Sequence, residues 1–325
     1  MFLIHIRDID RSVHYSVVRS FADDTRVSCR IHEQQDIKKL QLDLESIFEW
    51  SRINNMEFNE TKFELMRFGT RLLELRSYQT LNSNIPESET VKDLGVLMSN
   101  NGKFDEQITS IIKKGRQMAG WVLRVFITRE SIPMLTIYKS MVIPIIEYCC
   151  ILWSPYNNIG KIREIESLQR SFTYRIEGMR ELNYWQRLEK LNLYSLERRR
   201  ERFMIIYVWK ILCGLAPNLS SSTCRVEAFL NPRRGLLCRV PPLTSRETPA
   251  HISTLRENSF AVMGPRLFNC VKREVREYNG EFDGFKRRLD KFLRTIPDKP
   301  SLPHYVQTAR SNSIIDQVCQ MRLDR

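Results

Sequence analysis

The chain has 325 residues, of which 42% are hydrophobic and 27% charged, and its formal net charge is +13. This is the composition of a foldable soluble protein with room for two or three small domains, or one large one with an extension. No apolar run reaches the roughly 18–20 residues of a membrane helix, and the most apolar stretch, MVIPIIEYCCILW at 141–153, is short and holds Pro144 and Glu147.

The opening residues, MFLIHIRDID, are apolar for only a few positions before Arg7 and Asp8, so they make no secretory leader. A cytoplasmic or nuclear protein with no membrane association is expected. The eight cysteines form no C-x-x-C pair, and the five histidines do not flank them at zinc-ligand spacing. Reduced, mostly buried thiols are expected. The charge is uneven. Residues 1–101 carry 13 Lys+Arg against 16 Asp+Glu, while 102–213 and 214–325 each carry 19 against 11. Two basic thirds of that size suggest a polyanionic partner.

Residues 13–31 alternate and read as a β-hairpin with Ala22-Asp23-Asp24 at or near its turn. Ile37, Leu40, Leu44, Ile47, Phe48 and Ser51 follow helical spacing over 36–53. KFELMRF at 62–68 alternates as a strand, and a short strand or turn follows near Tyr78–Leu81. VKDLGVLMSNNGKF at 91–104 holds an apolar core and Asn101-Gly102, a strong hairpin signal.

After Gly102 the period becomes helical. Asp105 is placed to cap a helix with Ile108, Ile111, Ile112, Met118, Ala119, Val122, Leu123 and Phe126 on its apolar side. Ser131 and Pro133 open another, with Ser131 as N-cap. Ile162, Ile165, Leu168, Phe172 and Ile176 make a third stripe, and LERRRERFMIIYVWKILCG, opened by Ser195, a fourth helix. The arginine-rich run 198–202 reads as a solvated helix face. LSSSTC at 219–224 is linker-like, residues 224–250 show no clean period, and FDGFKRRLDKFLRTIP at 282–297 is the last helix expected before a loose tail.

Adjacent carboxylates repel, so fixing Asp23 and Asp24 at a hairpin tip is unfavourable unless a cation is present. Mg²⁺ takes one or two carboxylates plus substrate phosphates, and pairs of such ions run phosphoryl transfer. A solvated turn fits the same two residues, because Asp is a favoured turn residue.

Longer segments carry a resemblance. SFADDT at 20–25 resembles the F/Y-x-D-D catalytic hairpin of reverse-transcriptase palms, and MFLIHIRDID the helix before it. FEWSRINNMEFNETKFELMRFG (48–69) resembles the following helix and strand, and TVKDLGVLMSNNGKF (90–104) the strand pair that grips the primer end. IYKSMVIPIIEYCCILWSPY (137–156), LEKLNLYSLERRRER (188–202) and NSFAVMGPRLFN (258–269) resemble the region after the palm. In this order they cover nearly the whole chain, which resembles the C-terminal part of a reverse transcriptase of non-LTR, LINE-type, jockey-like retrotransposons.

The resemblance implies an α+β fold. A partial palm at 1–102 carries the catalytic β-hairpin, a helix and the primer-grip strands. An all-α, thumb-like domain follows at 103–216, then a basic, weakly ordered C-terminal extension at 217–325 with a helix near 282–296. It implies Asp23 and Asp24 as Mg²⁺ ligands and catalytic residues, and Lys62 as a proton donor near the incoming dNTP. Lys92 and Gly95 would line the primer grip, while Lys113, Lys114, Arg116 and Arg124 would contact phosphates of an RNA template–DNA primer duplex. The family's palm has a further essential Asp on an earlier strand, upstream of this sequence, together with fingers and an endonuclease. The expectation is therefore an RNA-directed DNA polymerase by ancestry that is inactive as this chain, with weak or absent Mg²⁺ binding and an open edge on its catalytic hairpin. A noncatalytic nucleic-acid-binding or interaction protein derived from the element, and a degenerate fragment with no role, are the alternatives.

Overall fold

Alternating residues on either side of Ala22 fold into a two-residue-turn hairpin, β1 (Val17–Phe21) and β2 (Asp24–Ser28), with Val17 opposite Ser28 and Phe21 opposite Asp24. The computed structural model describes residues 6–69, 77–156, 158–217, 228–231, 235–243, 252–299 and 312–323. The linker-like stretch 219–224 lies outside them. The chain divides into two compact units, Met1–Glu106 and Gln107–Arg325, where the sequence suggested three segments.

In the first unit, helix α1 (Gln34–Ile53) begins with a capping box between Glu33 and Asp36. The Asp36 carboxyl is held down at about 2, first by the His32 backbone N–H and then by Lys39. One side of α1 puts Ile47 and Trp50 into a cluster with Ile6, Ile9 and Val18. Its other side packs Ile37 and Leu44 against Tyr78 and Ile85. The apolar periodicity of 36–53 is thus shared between two small cores.

A second hairpin, β3 (Thr90–Asp93) and β4 (Val96–Ser99), turns at Leu94 (φ 44°) and Gly95 (φ 84°). The sequence pointed to Asn101-Gly102 instead. Those residues form the exit turn after β4, where the Gly102 N–H donates to the Ser99 carbonyl at 2.9 Å. Two successive left-handed residues fit the twist of a two-residue hairpin, and Leu94-Gly95 supplies them. Residues 62–68 also depart from expectation. Only Leu65 bridges, to Glu87, and among the described residues no strand lies alongside to build a ladder.

Helix α2 (Asp105–Val125), all but its first two residues in the second unit, has Ile108, Ile111, Ile112, Gly115, Ala119 and Val122 on its buried side. A Cβ on Gly115 would lie 2.6 Å from Ile146 and from Leu168, so glycine lets two neighbours close onto the helix. Helix α3 (Ser131–Ile137) continues through a π-turn at Tyr138–Val142 into α4 (Ile143–Glu147). Pro144 lacks the N–H that a regular helix needs there, which accounts for the wider turn. α5 (Cys150–Trp153), α6 (Ile159–Tyr174), α7 (Tyr184–Lys190) and α8 (Leu196–Leu212) follow.

Strands β5 (Ala228–Asn231) and β6 (Gly235–Cys238) form a third hairpin. The remaining helices are α9 (Ser253–Asn258), α10 (Phe260–Cys270), α11 (Arg273–Arg276), α12 (Phe282–Leu293) and α13 (Ile314–Leu323). Among the described residues, those after 252 form packed helices, where the sequence suggested a weakly ordered extension. Val208 and Trp209 of α8 share one core with Leu267 and Phe268 of α10, Phe285 and Leu289 of α12, and Ile314 and Val318 of α13. Trp209 stacks on Phe285 at 4.5 Å between ring centres and donates to the Tyr278 carbonyl at 2.9 Å. The apolar side of α8 requires a cover, and the helices after 253 supply it.

The run 198–202 is likewise not a solvated face. Arg198 and Arg200 are buried, Arg198 donating to the Pro297 carbonyl at 2.8 Å and Arg200 to Ser154 at 3.2 Å. Arg199 forks onto Glu147, and Arg202 onto Asp290 at 2.6 and 2.8 Å. Glu201, fully buried, accepts from Ser313 Oγ at 2.5 Å and from the Ile314 N–H at 2.8 Å.

The result is a mostly helical α+β protein. Its described strands make three separate two-stranded antiparallel sheets, so no further strand borders the outer edges of β1–β2 among the described residues. No described helix is long and apolar enough to cross a membrane. The seven described cysteines are free thiols, but only Cys150 and Cys238 are buried, fewer than expected.

Candidate functional site

Asp23 and Asp24 occupy the tip of β1–β2, Asp23 in the turn and Asp24 as the first residue of β2. Both are exposed, and neither side chain has an ion pair or hydrogen bond among the described residues. Ala22 ahead of them has φ 53°, a left-handed conformation that costs a non-glycine residue about 1–2 kcal/mol. Strain of this kind persists where surrounding structure holds it. The holders are the Ser20–Thr25 hydroxyl contact at 3.0 Å and the five-pair ladder below. On one face of β1, Val17 and Phe21 remain exposed, Phe21 at 68%.

The hairpin is anchored from below by Asp43 of α1. Its carboxylate accepts the backbone N–H groups of His14 at 2.8 Å and Tyr15 at 3.0 Å, just ahead of β1. Burial pushes the Asp43 carboxyl up. The donors at His14, Ser16 and Tyr15 outweigh that and hold it below the ordinary value. Trp50 Nε1 donates to Asp8 at 3.1 Å and ties the preceding turn to the same helix.

Arg26 of β2 joins the two hairpins of this unit. It pairs with Asp93 of β3, and its guanidinium lies 3.9 Å from Met98 Sδ of β4. The cross-strand neighbour of Arg26 is Arg19, a like charge, so Asp93 relieves a repulsion as well as making a link. Lys92 and Gly95 sit on this second hairpin, Lys92 exposed in β3 and Gly95 in the turn. The acidic tip and the expected primer-grip residues are therefore carried by two hairpins held together through Arg26.

Lys62 ends a short turn, Glu60–Lys62, capped by Asn59. Its side chain is exposed, with no hydrogen bond or ion pair to the acidic tip. Lys113, Lys114, Arg116 and Arg124 belong to α2 in the second unit and lie on its exposed side. Arg116 reaches across to Ser167 Oγ of α6 at 3.1 Å.

No third Asp, Glu, His or Cys joins Asp23 and Asp24 in a group able to hold a metal ion among the described residues. Two carboxylates are nonetheless a sufficient protein share for Mg²⁺ that keeps its waters and takes phosphate oxygens. Sequence reasoning missed Asp43, Arg26 and Asp93. The first shows no signal beyond being an acid on the apolar side of an amphipathic helix. The other two pair across 67 residues.

No protein-family model, curated protein or solved structure matches the chain.

Proposed function

We propose that the chain is a reverse-transcriptase-derived nucleic-acid-binding protein. Its ancestral reaction is Mg²⁺-dependent, RNA-templated DNA synthesis. The observation that carries the reading is the unpaired Asp23–Asp24 couple at a strained hairpin tip, linked through Arg26 to a second hairpin bearing Lys92 and Gly95. Asp is a favoured turn residue, but two adjacent carboxylates repel, and a metal–phosphate partner would relieve that repulsion.

In this reading Asp23 and Asp24 would hold Mg²⁺ together with substrate phosphates, and a bound ion would supply charge stabilisation for nucleotidyl transfer. The chain's own residues supply position. Asp43 fixes the base of the hairpin, and Arg26 fixes its register against the primer-grip turn. Two carboxylates from one hairpin bind such ions weakly, so this chain alone does not extend a primer. The basic side of α2, with Lys113, Lys114, Arg116 and Arg124, favours a retained backbone contact with duplex that reads no sequence.

Primer extension on an RNA template tests the catalytic part. Purified chain gives no Mg²⁺-dependent product, and robust product abolished by Asp23→Asn would overturn the inactivity. Asp23→Asn and Asp24→Asn leave salt-sensitive duplex binding unchanged if the retained role is the noncatalytic one.

A further inference from the structure

In the second unit, α6 and α7 enclose an open cleft of about 440 Å³ lined by Ser167, Arg170, Ser171, Tyr174, Arg175 and Arg187. Three arginines share this space, and none of them pairs with a carboxylate among the described residues. That contrasts with Arg199 and Arg202 of the same unit, each forked onto an acid.

Arg187 is the decisive residue. It is 5% exposed, yet its guanidinium meets only two backbone carbonyls, those of Leu182 and Arg170, both at 3.3 Å. Its Nε has no partner at all. The rings of Tyr174 and Tyr184 lie 5.5 and 5.8 Å from the guanidinium. A guanidinium offers five N–H donors in a fixed fork, and a buried charge without a counter-ion costs several kcal/mol. Burial, and then the neighbouring Arg170, push the Arg187 pKa down. An anion in the cleft would relieve both effects.

The other cations of the cleft are held in place by neighbouring groups. Arg175 is held by the Ser171 carbonyl at 2.7 Å and its hydroxyl at 2.6 Å. Arg170 lies over Tyr184 at 4.6 Å. Ser167, on the rim, accepts from Arg116 of α2, so the basic side of α2 runs on into the cleft. Tyr174 is 47% exposed beside these cations.

We propose that this cleft binds a phosphate of a single-stranded nucleic acid, with Arg187, Arg170 and Arg175 facing the phosphate and Tyr174 presenting a ring to the adjoining base. The inference rests on the nucleic-acid reading above but uses residues outside both hairpins. An exposed ring beside clustered arginines suits an unstacked base, which a duplex does not offer. Base stacking is tolerant of sequence, so the site reads backbone and ring rather than a particular base.

The test is binding of a short fluorescein-labelled oligothymidylate to the full chain and to R170Q, R175Q, Y174L and R187Q variants, with K113Q/K114Q in parallel. Removal of either exposed arginine, or of the Tyr174 ring, is expected to weaken binding about fivefold or more. Each arginine removed also lowers the salt slope by about one. R170Q and R175Q alter exposed side chains, so they decide the matter even where R187Q fails to fold. Wild-type affinity in R170Q, R175Q and Y174L, with loss in K113Q/K114Q, overturns the cleft and leaves the nucleic-acid reading standing. Absence of binding by the wild-type chain to oligothymidylate and to duplex alike defeats both. Capture of a phosphoserine peptide through Arg175 with no oligothymidylate binding overturns the assignment to nucleic acid.

Discussion

In the first unit the acidic pair at the tip of β1–β2 stands exposed and unpaired, on a sheet of only two strands. In the second unit the four arginines on α8 find partners within the fold, Arg199 and Arg202 on the distant acids Glu147 and Asp290, and Arg198 and Arg200 on a carbonyl and a hydroxyl oxygen. The same kind of residue thus serves opposite ends. Where folding pairs a charge, that charge holds the fold together. Where folding leaves a charge unpaired, as at Asp23–Asp24 and in the Arg170–Arg175–Arg187 cleft, the charge makes no such link, and these are the places proposed above for ligands. The two units also differ in how their cores are assembled. The first relies on small clusters on either side of α1, while the second closes one core from helices spread over more than a hundred residues.

The contrast breaks most severely at Trp209. Replacing this buried ring in W209A is expected to cost about 3–5 kcal/mol, read as a lower urea midpoint for the helical unit. Amide exchange in α1 should then report the first unit still folded. A single coincident transition for both units would show that they are not independent.

Glu201 sharpens the comparison through pH. Burial raises its carboxyl to about 7, against donors at Ser313 and Ile314 and the nearby Arg198, which pull it down. A folded-state value above the unfolded one favours the protonated form. Its stabilising share is therefore complete below about pH 4.5 and fades as pH rises through 7. E201Q should gain on the wild type across that window, by up to about 3 kcal/mol. Thermal unfolding at pH 4.5 and pH 8 measures the difference, and a constant gap between the two proteins would contradict it.

Asp43 makes the corresponding point for the hairpin unit. D43A leaves the His14 and Tyr15 N–H groups without their acceptor, and a lost partner of that kind costs about 1–3 kcal/mol. Amide exchange should speed up in residues 14–28 and stay unchanged in α8. The smallest effect is expected at Ala22. Glycine adopts φ 53° without penalty, so A22G should stabilise the hairpin by up to about 1 kcal/mol, visible as slower exchange in β1 and β2. Acceleration there would mean that the turn carries no strain.

Local signals were legible in the sequence and distant ones were not. Alternation around Ala22 gave the first hairpin, and helical spacing gave α1, α2 and α6, because those patterns depend on neighbours a few residues away. The strand expected at 62–68 needs a partner ladder that the described residues do not provide. Asn101-Gly102 carried a genuine turn signal, but the hairpin closed seven residues earlier at Leu94-Gly95. The run 198–202 looked solvated because its acids lie about fifty and ninety residues away in the chain. The order beyond 253 was hidden for the same reason, since its apolar residues complete a core begun by α8. The cleft was hidden as well: Arg187 meets Arg170 and Arg175 only once α7 folds back beside α6.

The most direct test is equilibrium binding of the full chain to a fluorescent RNA–DNA primer–template duplex over a series of salt concentrations. The account predicts saturable binding whose affinity falls linearly with the logarithm of salt, by a slope near 0.7–0.9 per phosphate contacted. Replacing Lys113, Lys114, Arg116 and Arg124 with glutamine should flatten that slope, while D23N should leave it unchanged. Binding that is absent at low salt, or that is indifferent to salt and to those four residues, would contradict it.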